Sequence, residues 1–275
     1  MIKLLETNVD NTVMKKVSSI LTDVNIWKEK YNNMFINKVK NKYNFLPYWL
    51  LYNSCSNALI ATILALWITK NSEVIIPTYT CKSILDVLVL LWLKPVLVDC
   101  YLDYKKWNFN PDKKHIINQV SQKTKLIIIP YNFWYISEYN ELYNLWIPII
   151  EDITLVFWAR LLNNINYNRI IISSFHKSKV LSSIEWWIVL TNNIYYRFII
   201  WVKENKAIFL LKYLLDNWIE GWRWIYPLIS DYINSSEKFV NAEKVINTSV
   251  SIPIYSSLTD NDVQYLIYIL NNYKW

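Results

Sequence analysis

The chain has one glycine and fifteen tryptophans among its 275 residues. Because glycine averages about 7% of ordinary proteins, a chain of this length should carry roughly 19. Several tryptophans stand where glycine is expected, either after an apolar helical pattern (Trp67, Trp92, Trp146) or before the apolar run IVLT (Trp186, Trp187). The residue after a helix commonly takes a positive φ, which suits glycine and disfavours a bulky aromatic residue. The pattern therefore predicts positive φ at the tryptophans that follow helices.

We interpret this composition as a difference in decoding. Some bacterial lineages read UGA as glycine and others read it as tryptophan. A gene of the first kind translated with the code of the second would have tryptophan at many glycine positions. The abundance of Asn, Lys, Ile and Tyr fits an AT-rich gene, in which one base separates GGA from UGA. UGG codons at these positions would contradict the interpretation. The alternative is a true tryptophan-rich carbohydrate binder, although aromatic platforms for sugars would not follow helix ends.

Charge and hydropathy exclude several classes of protein. The net charge of +7 comes from lysines spread along the chain rather than from a dense basic stretch, so nucleic-acid binding is not expected. The longest apolar run, 87–93, is far too short to span a bilayer, and the N-terminus lacks the apolar core of a signal peptide. Three dispersed cysteines and two histidines suggest neither a disulfide framework nor a metal site. We expect a cytoplasmic protein with small-molecule substrates and no membrane partner.

Short apolar runs alternate with helical patterns from about residue 50. The expected strands are 74–77, 95–100, 125–130, 147–152, 169–175 and 187–191. The expected helices are 56–66, 83–93, 112–120 and 137–145. This alternation predicts an α/β fold with a mostly parallel sheet. Beyond about residue 192 the rhythm breaks, and the pattern predicts a helix over 195–218 and a final helix with Thr259 or Asp260 as its N-cap.

Lys179 and Asp152 are the candidates for chemistry. Lys179 follows an expected buried strand in a loop of small polar residues, where a lysine can form a Schiff base with an aldehyde cofactor. A solvated loop lysine is the alternative. Asp152 ends the apolar strand 147–152, where an acid can point into the ligand crevice and hold a pyridinium nitrogen protonated. The alternative is a helix N-cap or a turn residue, and Glu151 should point to the opposite face.

The turn before the first long helix is a third candidate. Ser54, Cys55 and Ser56 are small residues at an expected helix N-terminus, which favours an anion such as phosphate. Simple capping of the helix by Ser56 is the alternative.

With glycine at most tryptophan positions, the chain resembles the DegT-type family of PLP-dependent sugar aminotransferases. The resemblance rests on matching segments that run in order from about Ile26 to the C-terminus. The family turn S-G-T-x-A-L matches 54–59, D-E-V-I-V-P-x-x-T matches 72–80, G-x-K-P-V-F-V-D matches 92–99, T-K-A-I-I-P matches 124–130, I-E-D matches 150–152, F-S-F-x-x-x-K matches 173–179 and G-E-G-G matches 184–187.

The resemblance implies the aspartate-aminotransferase-like type I fold. Residues 1–191 would form N-terminal helices and a three-layer α/β/α large domain, and residues 192–275 a shortened C-terminal α/β domain. Lys179 would be the Schiff-base lysine and proton shuttle, and Asp152 would pair with the pyridine nitrogen of pyridoxal 5′-phosphate. The positions expected around the cofactor are Ser54, Cys55, Ser56, Cys81, Asp152, Leu155, Ser174 and Lys179.

The implied reaction moves an amino group, commonly from glutamate, to a keto-sugar on a nucleotide, for surface polysaccharide or amino-sugar synthesis in a homodimer. Three positions depart from the family pattern. Leu155 stands where the family usually has Gln, Cys81 where a ring-stacking aromatic is common, and Cys55 where the S-G-T turn has glycine. The segment between Asn193 and Ala242 is also shorter than the small domain of the family, which normally supplies substrate contacts. These departures leave two alternatives on the same fold: a PLP enzyme of another reaction type, such as a sugar dehydratase, or an inactive scaffold.

Overall fold

The computed structural model of the chain describes nine stretches and a few isolated positions near the N-terminus. The stretches are 54–106, 108–132, 135–157, 169–174, 198–202, 206–223, 225, 227–253 and 258–273, and the isolated positions are 15, 34, 36–37, 50 and 52. Lys179, Trp186, Trp187 and the expected strand 187–191 lie outside the described residues. So does the expected boundary between domains at 191/192, which stays a prediction.

Helices and strands alternate along the first part of the described chain, as the sequence predicted. In order they are α1 (Cys55–Ala65), β1 (Glu73–Pro77), α2 (Lys82–Leu90), β2 (Lys94–Val98), α3 (Lys113–Gln119), β3 (Thr124–Pro130), α4 (Asn140–Tyr143), β4 (Ile149–Asp152) and β5 (Arg169–Ile172). The later elements are β6 (Phe198–Trp201), α5 (Ala207–Asp216), α6 (Ile229–Tyr232), α7 (Val240–Thr248), β7 (Ser249–Ile252) and α8 (Asp260–Asn271).

Five strands form one parallel sheet in the order β2-β1-β3-β4-β5. Alternate residues of each strand face opposite sides, so the sheet has two cores. The first core joins Val74, Ile76, Ile128 and Ile150 to α1 and α2. The second core joins Ile75, Ile127 and Ile149 to α3 and α4. Helices therefore cover both faces, which confirms the α/β class and the three layers.

The sequence-based prediction of a helix over 195–218 is wrong in its first part. Phe198–Trp201 is a strand, β6, which pairs antiparallel with β7, and the helix starts only at Ala207. The four residues Phe-Ile-Ile-Trp are aromatic or β-branched, and pairing with a distant strand decides their conformation. Apart from the strand 187–191, which lies outside the described residues, the other expected strands and helices are found with shifted ends, and Thr259 is the N-cap of α8.

Among the described residues, four tryptophans have the positive φ that glycine favours. The φ angles are 55° at Trp67, 57° at Trp92, 56° at Trp146 and 60° at Trp218. The conformation expected at the first three is therefore confirmed, and Trp218 joins them. All four side chains are exposed, from 66% at Trp218 to 89% at Trp67. Little burial offsets the backbone strain at these positions, and the recorded ring contact is that of Lys70 Nζ, 5.7 Å from the centroid of the Trp92 ring.

The hydrogen bonds at two of these helix ends form the Schellman pattern. After α2, the N–H of Trp92 donates to the carbonyl of Val89 at 3.1 Å, and the N–H of Leu93 donates to that of Leu88 at 2.9 Å. The equivalent bonds end α5: the N–H of Trp218 donates to the carbonyl of Leu215 at 3.0 Å, and the N–H of Ile219 donates to that of Leu214 at 2.9 Å. This motif places its first residue beyond the cap in the left-handed region, where glycine is the usual residue.

The C-terminal part of the chain contributes to two different cores. Residues between 225 and 246 pack into the first core, next to the parallel sheet. A third core forms among β6, β7, α5 and α8. The chain's single glycine, Gly221, lies there, where a Cβ would come within 2.9 Å of Leu211 Cδ2. Among the described residues, no helix is both long and apolar enough to cross a membrane.

Asp99 ties the parallel sheet to α7. It follows β2, and its carboxylate oxygens accept the N–H groups of Asn241 and Ala242, each at 2.9 Å. A carboxylate at a helix N-terminus satisfies orphan donors and suits the helix dipole. Replacing Asp99 with Ala should lower the free energy of unfolding by about 2–3 kcal/mol, as measured by urea denaturation.

The matched control for this prediction is Asp103→Ala. Asp103 also accepts two N–H groups, from Lys105 and Lys106, but these bonds are local and exposed. Water can replace them, so the loss should stay below about 1 kcal/mol. Equal losses in the two variants would show that the bonds from α7 to Asp99 contribute no more to the free energy of unfolding than local, exposed bonds do.

Candidate active site

The carboxyl ends of the parallel strands bring the candidate residues to one edge of the sheet. Asp152 is the last residue of β4, Thr80 follows β1, and Ser173 and Ser174 follow β5. In the register of β4 with β5, Asp152 pairs with Ile172. Ligands of open α/β sheets bind in the crevice at this edge.

Asp152 and Glu151 point to opposite faces of the sheet, as expected for neighbours in a strand. Ile150, which shares a face with Asp152, packs in the first core together with α1. Glu151 is fully buried on the other side, against Tyr131 and Tyr143. The helix that begins at Cys55 and the Asp152 carboxylate therefore lie on the same face.

Asp152 is held by a short network of hydrogen bonds. Its Oδ1 accepts the N–H of Thr154 at 2.9 Å and also the hydroxyl proton of Thr154. Thr154 Oγ1 in turn accepts the N–H of Ser174 at 2.8 Å. Asp152 is thus a turn residue, the alternative left open by the sequence, and at the same time stands where an acid can meet a ligand.

The N-terminus of α1 has the form expected for an anion site. Ser54 is the N-cap, and its Oγ accepts the N–H of Asn57 at 3.1 Å. The alternative that Ser56 caps the helix is therefore wrong. Cys55 and Ser56 open the helix and are half-buried. The partial positive charge of a helix N-terminus favours a phosphate group.

Two buried hydroxyl groups test whether this edge fits a polar ligand. Within the described part of the chain, neither Thr80 Oγ1 nor Ser173 Oγ has a hydrogen-bond partner. Thr80 is 2% exposed. Buried hydroxyls in proteins are nearly always paired, so two orphaned ones at the same edge fit a ligand that brings polar atoms. A phosphorylated pyridine cofactor meets that requirement.

The structure places the remaining expected cofactor positions less favourably. Cys81 is exposed, and it precedes α2 without a capping bond from its side chain. Leu155 is half-buried and apolar. Thr154 was missed by the sequence reasoning, although an Asp followed two residues later by Thr is a recognisable turn signal.

A buried ion pair lies on the face of the sheet opposite Asp152. Arg169 binds Glu151 through two bonds, Nε to Oε1 at 2.8 Å and Nη2 to Oε2 at 2.9 Å. Tyr131 and Tyr143 donate their hydroxyl protons to the same carboxylate. Burial and then the charge of Glu151 raise the pKa of both tyrosines. Burial lowers the pKa of Arg169, but the bonds and charge of Glu151 outweigh it and leave the pKa above its ordinary value.

Comparison with solved structures identifies the fold. The NtdA protein of Bacillus subtilis, crystallised with the cofactor PMP, superposes with a TM-score of 0.79 at 14% identity, over 96% of this chain and 82% of that one. An aminotransferase from Psychrobacter cryohalolentis gives 0.77 at 12% identity, over 96% of both chains. The sugar aminotransferase CalS13 of Micromonospora echinospora gives 0.75 at 13% identity, over 99% of this chain and 100% of that one. The fold is the type I fold of PLP-dependent aminotransferases.

The sequence supports the same assignment at the level of the family. Residues 7–200 match the DegT/DnrJ/EryC1/StrS aminotransferase family, and the chain belongs to it. It is an aminotransferase, and its cofactor is pyridoxal 5′-phosphate. No match was found among curated protein sequences.

Proposed function

We propose that the protein transfers an amino group from an amino acid, with glutamate as the expected donor, to a keto-sugar carried on a nucleotide. The observation that carries the proposal is the Asp152–Thr154–Ser174 network at the carboxyl ends of β4 and β5. A sugar aminotransferase with the same fold, CalS13, supports the class of substrate. The product would be an amino sugar for surface polysaccharide or related synthesis.

In this proposal each residue has a separate task. The Asp152 carboxylate accepts a hydrogen bond from the pyridine nitrogen, and Ser174 and the N-terminus of α1 hold the phosphate. Lys179, outside the described residues, would bind the cofactor and would accept and return the proton that is moved in the reaction. When bound, the cofactor supplies an electron sink for the carbon next to the transferred nitrogen.

Glycine at the strained tryptophan positions is part of the proposal. We call the full-length chain with glycine at six tryptophan positions the glycine chain; the positions are Trp67, Trp92, Trp146, Trp186, Trp187 and Trp218. Four of these positions have positive φ, which supports glycine there in the natural protein. A UGA codon read as glycine would be its source. Peptide mass spectrometry of the protein from its natural source would decide the matter.

The test of function is the visible absorption spectrum of the glycine chain with added PLP. We expect a band from lysine-bound cofactor that bleaches when glutamate is added and that is absent in Lys179→Ala. A band that persists with glutamate would overturn glutamate as the donor, and one that persists with every amino donor would contradict the assignment as an aminotransferase. The second result would favour another PLP reaction, such as a sugar dehydration.

The finer parts of the proposal need their own measurements. Activity should be measured with keto-sugar nucleotides and with the corresponding free keto-sugars. If the enzyme requires the nucleotide, kcat/KM should be lower for the free sugars. We also propose that the protein is cytoplasmic and forms a homodimer. Sedimentation of the glycine chain would test the dimer.

A further inference from the structure

We propose that Thr154 is a positioning residue that couples Asp152 to Ser174 through one hydroxyl group. The inference deepens the proposed function and rests on it, because it concerns the two residues assigned there to the pyridine nitrogen and to the phosphate. It assigns to Thr154 a role that acts through Asp152 rather than by contact with the cofactor.

The direction of the hydrogen bonds around Thr154 is determined by their chemistry. The N–H of Ser174 can only donate, so it donates to Thr154 Oγ1 at 2.8 Å. An ionised carboxylate can only accept, so the single hydroxyl proton of Thr154 goes to Asp152 Oδ1. The three groups form a chain from the Ser174 amide to the Asp152 carboxylate. Such chains strengthen one another where water is excluded, and Thr154 is only 6% exposed.

The position of the Thr154 hydroxyl relative to the sheet shows which parts of the chain it connects. The pairing of β4 with β5 ends at Asp152 and Ile172, and one more backbone bond joins the N–H of Ile153 to the carbonyl of Ile172 at 2.9 Å. Ser174 lies beyond the end of this ladder. The hydroxyl of Thr154 therefore continues the connection between the two strands over the residues that face the ligand edge.

The neighbouring residue makes this hydroxyl more important. The apolar Leu155 side chain has no donor or acceptor. Thr154 supplies a polar side-chain link at the end of β4 where Leu155 cannot.

The test compares three substitutions in the glycine chain. Thr154→Val keeps the shape and removes the hydroxyl, Thr154→Ser keeps the hydroxyl, and Thr124→Val is the matched control. Thr124 Oγ1 accepts the N–H of Ser121 at 2.9 Å and is 4% exposed, but it begins β3 at the opposite edge of the sheet. The readouts are the Kd for PLP from titration of the visible band, the pH dependence of that band, and the Tm without cofactor.

We expect Thr154→Val to weaken PLP binding about tenfold or more and to change the pH dependence of the band. Thr154→Ser should bind PLP as tightly as the glycine chain without further substitution. Thr124→Val should lose a similar amount of Tm with unchanged Kd. Equal Kd values for Thr154→Val and Thr124→Val would overturn the inference.

A double-mutant cycle with Asp152→Asn separates this inference from the proposed function. If Thr154 acts through Asp152, the effect of Thr154→Val on Kd should shrink in the Asp152→Asn background. An undiminished effect there would overturn the inference while leaving the function intact. If the unsubstituted chain binds no PLP, or if Asp152→Asn changes neither the Kd nor the band, the proposed function and the inference both fail.

Discussion

Glycine at Trp67, Trp92, Trp146 and Trp218 together should raise the free energy of unfolding by about 4 kcal/mol. A left-handed conformation costs a residue with a Cβ about 1–2 kcal/mol, and glycine avoids that cost. Glycine also loses more entropy on folding, about 0.4–1 kcal/mol, which leaves a net gain of about 1 kcal/mol per site. The exposed indoles give up little burial. Calorimetry should show a Tm higher by about 8–16 °C.

Two other tryptophans provide matched controls for this prediction. Trp222 is exposed like the four, but its φ is not positive, so Trp222→Gly should lower stability by about 0.5–1 kcal/mol. Trp201 lies in β6 with its ring centroid 4.7 Å from that of Tyr104 and 4.8 Å from that of Phe109. Trp201→Gly should therefore cost about 3–5 kcal/mol.

Substitution by Asn separates the backbone effect from removal of an exposed indole. Asn tolerates positive φ, and Asn71 and Asn234 adopt it in this protein. Trp67→Asn should accordingly recover part of the gain of Trp67→Gly. A quadruple variant no more stable than the parent, or a gain as large in Trp222→Gly, would show that φ is not the cause.

Arg169→Met should lower the free energy of unfolding by about 3–5 kcal/mol. The variant leaves Glu151 buried and without its cationic partner, and truncation of one member of a buried ion pair has this cost. The side chains are 3% and 0% exposed, so water cannot take the place of the guanidinium. Urea denaturation would measure the loss.

The second variant of this experiment shows where the loss comes from. In Glu151→Gln/Arg169→Met the uncompensated charge is gone. The amide oxygen of the new side chain can accept the hydroxyl proton of one of the two tyrosines, Tyr131 or Tyr143, and its NH2 group can donate to the hydroxyl oxygen of the other, so much of the stability should return. Lys113→Met breaks a largely exposed pair with Glu141 at 2.8 Å and should cost less than about 1 kcal/mol. A double variant less stable than Arg169→Met would mean that Glu151 stabilises the fold without its partner.

The sheet and its ligand edge could be predicted because they depend on local patterns. Apolar runs such as 125–130 have the length and composition of buried strands, and each is followed by a turn or a helical pattern. The alternation of faces in a strand then placed Glu151 and Asp152 on opposite sides. Positive φ at Trp67 and Trp92 followed from the same logic, because helix ends have a small set of conformations.

The features that were missed depend on contacts between distant parts of the chain. The strand Phe198–Trp201 exists because β7 pairs with it, and β7 lies about fifty residues further on. The partner of Glu151 is Arg169, on a neighbouring strand, and nothing in the local pattern marks that arginine. The N–H that completes the Thr154 network belongs to Ser174, twenty residues away. Only the register of β4 with β5 brings these groups together.

The packing of residues 225–246 into the first core has a consequence for synthesis on the ribosome. Strands β1 to β5 leave the ribosome well before Phe239 and Val245, which are fully or nearly fully buried against the core of α1 and α2. Until those residues emerge, the part of the first core that they cover stays open to water and to other chains, although α1 and α2 are already present. Completion of the first core must therefore wait for the last quarter of the chain, and a chain released early would leave apolar surface exposed.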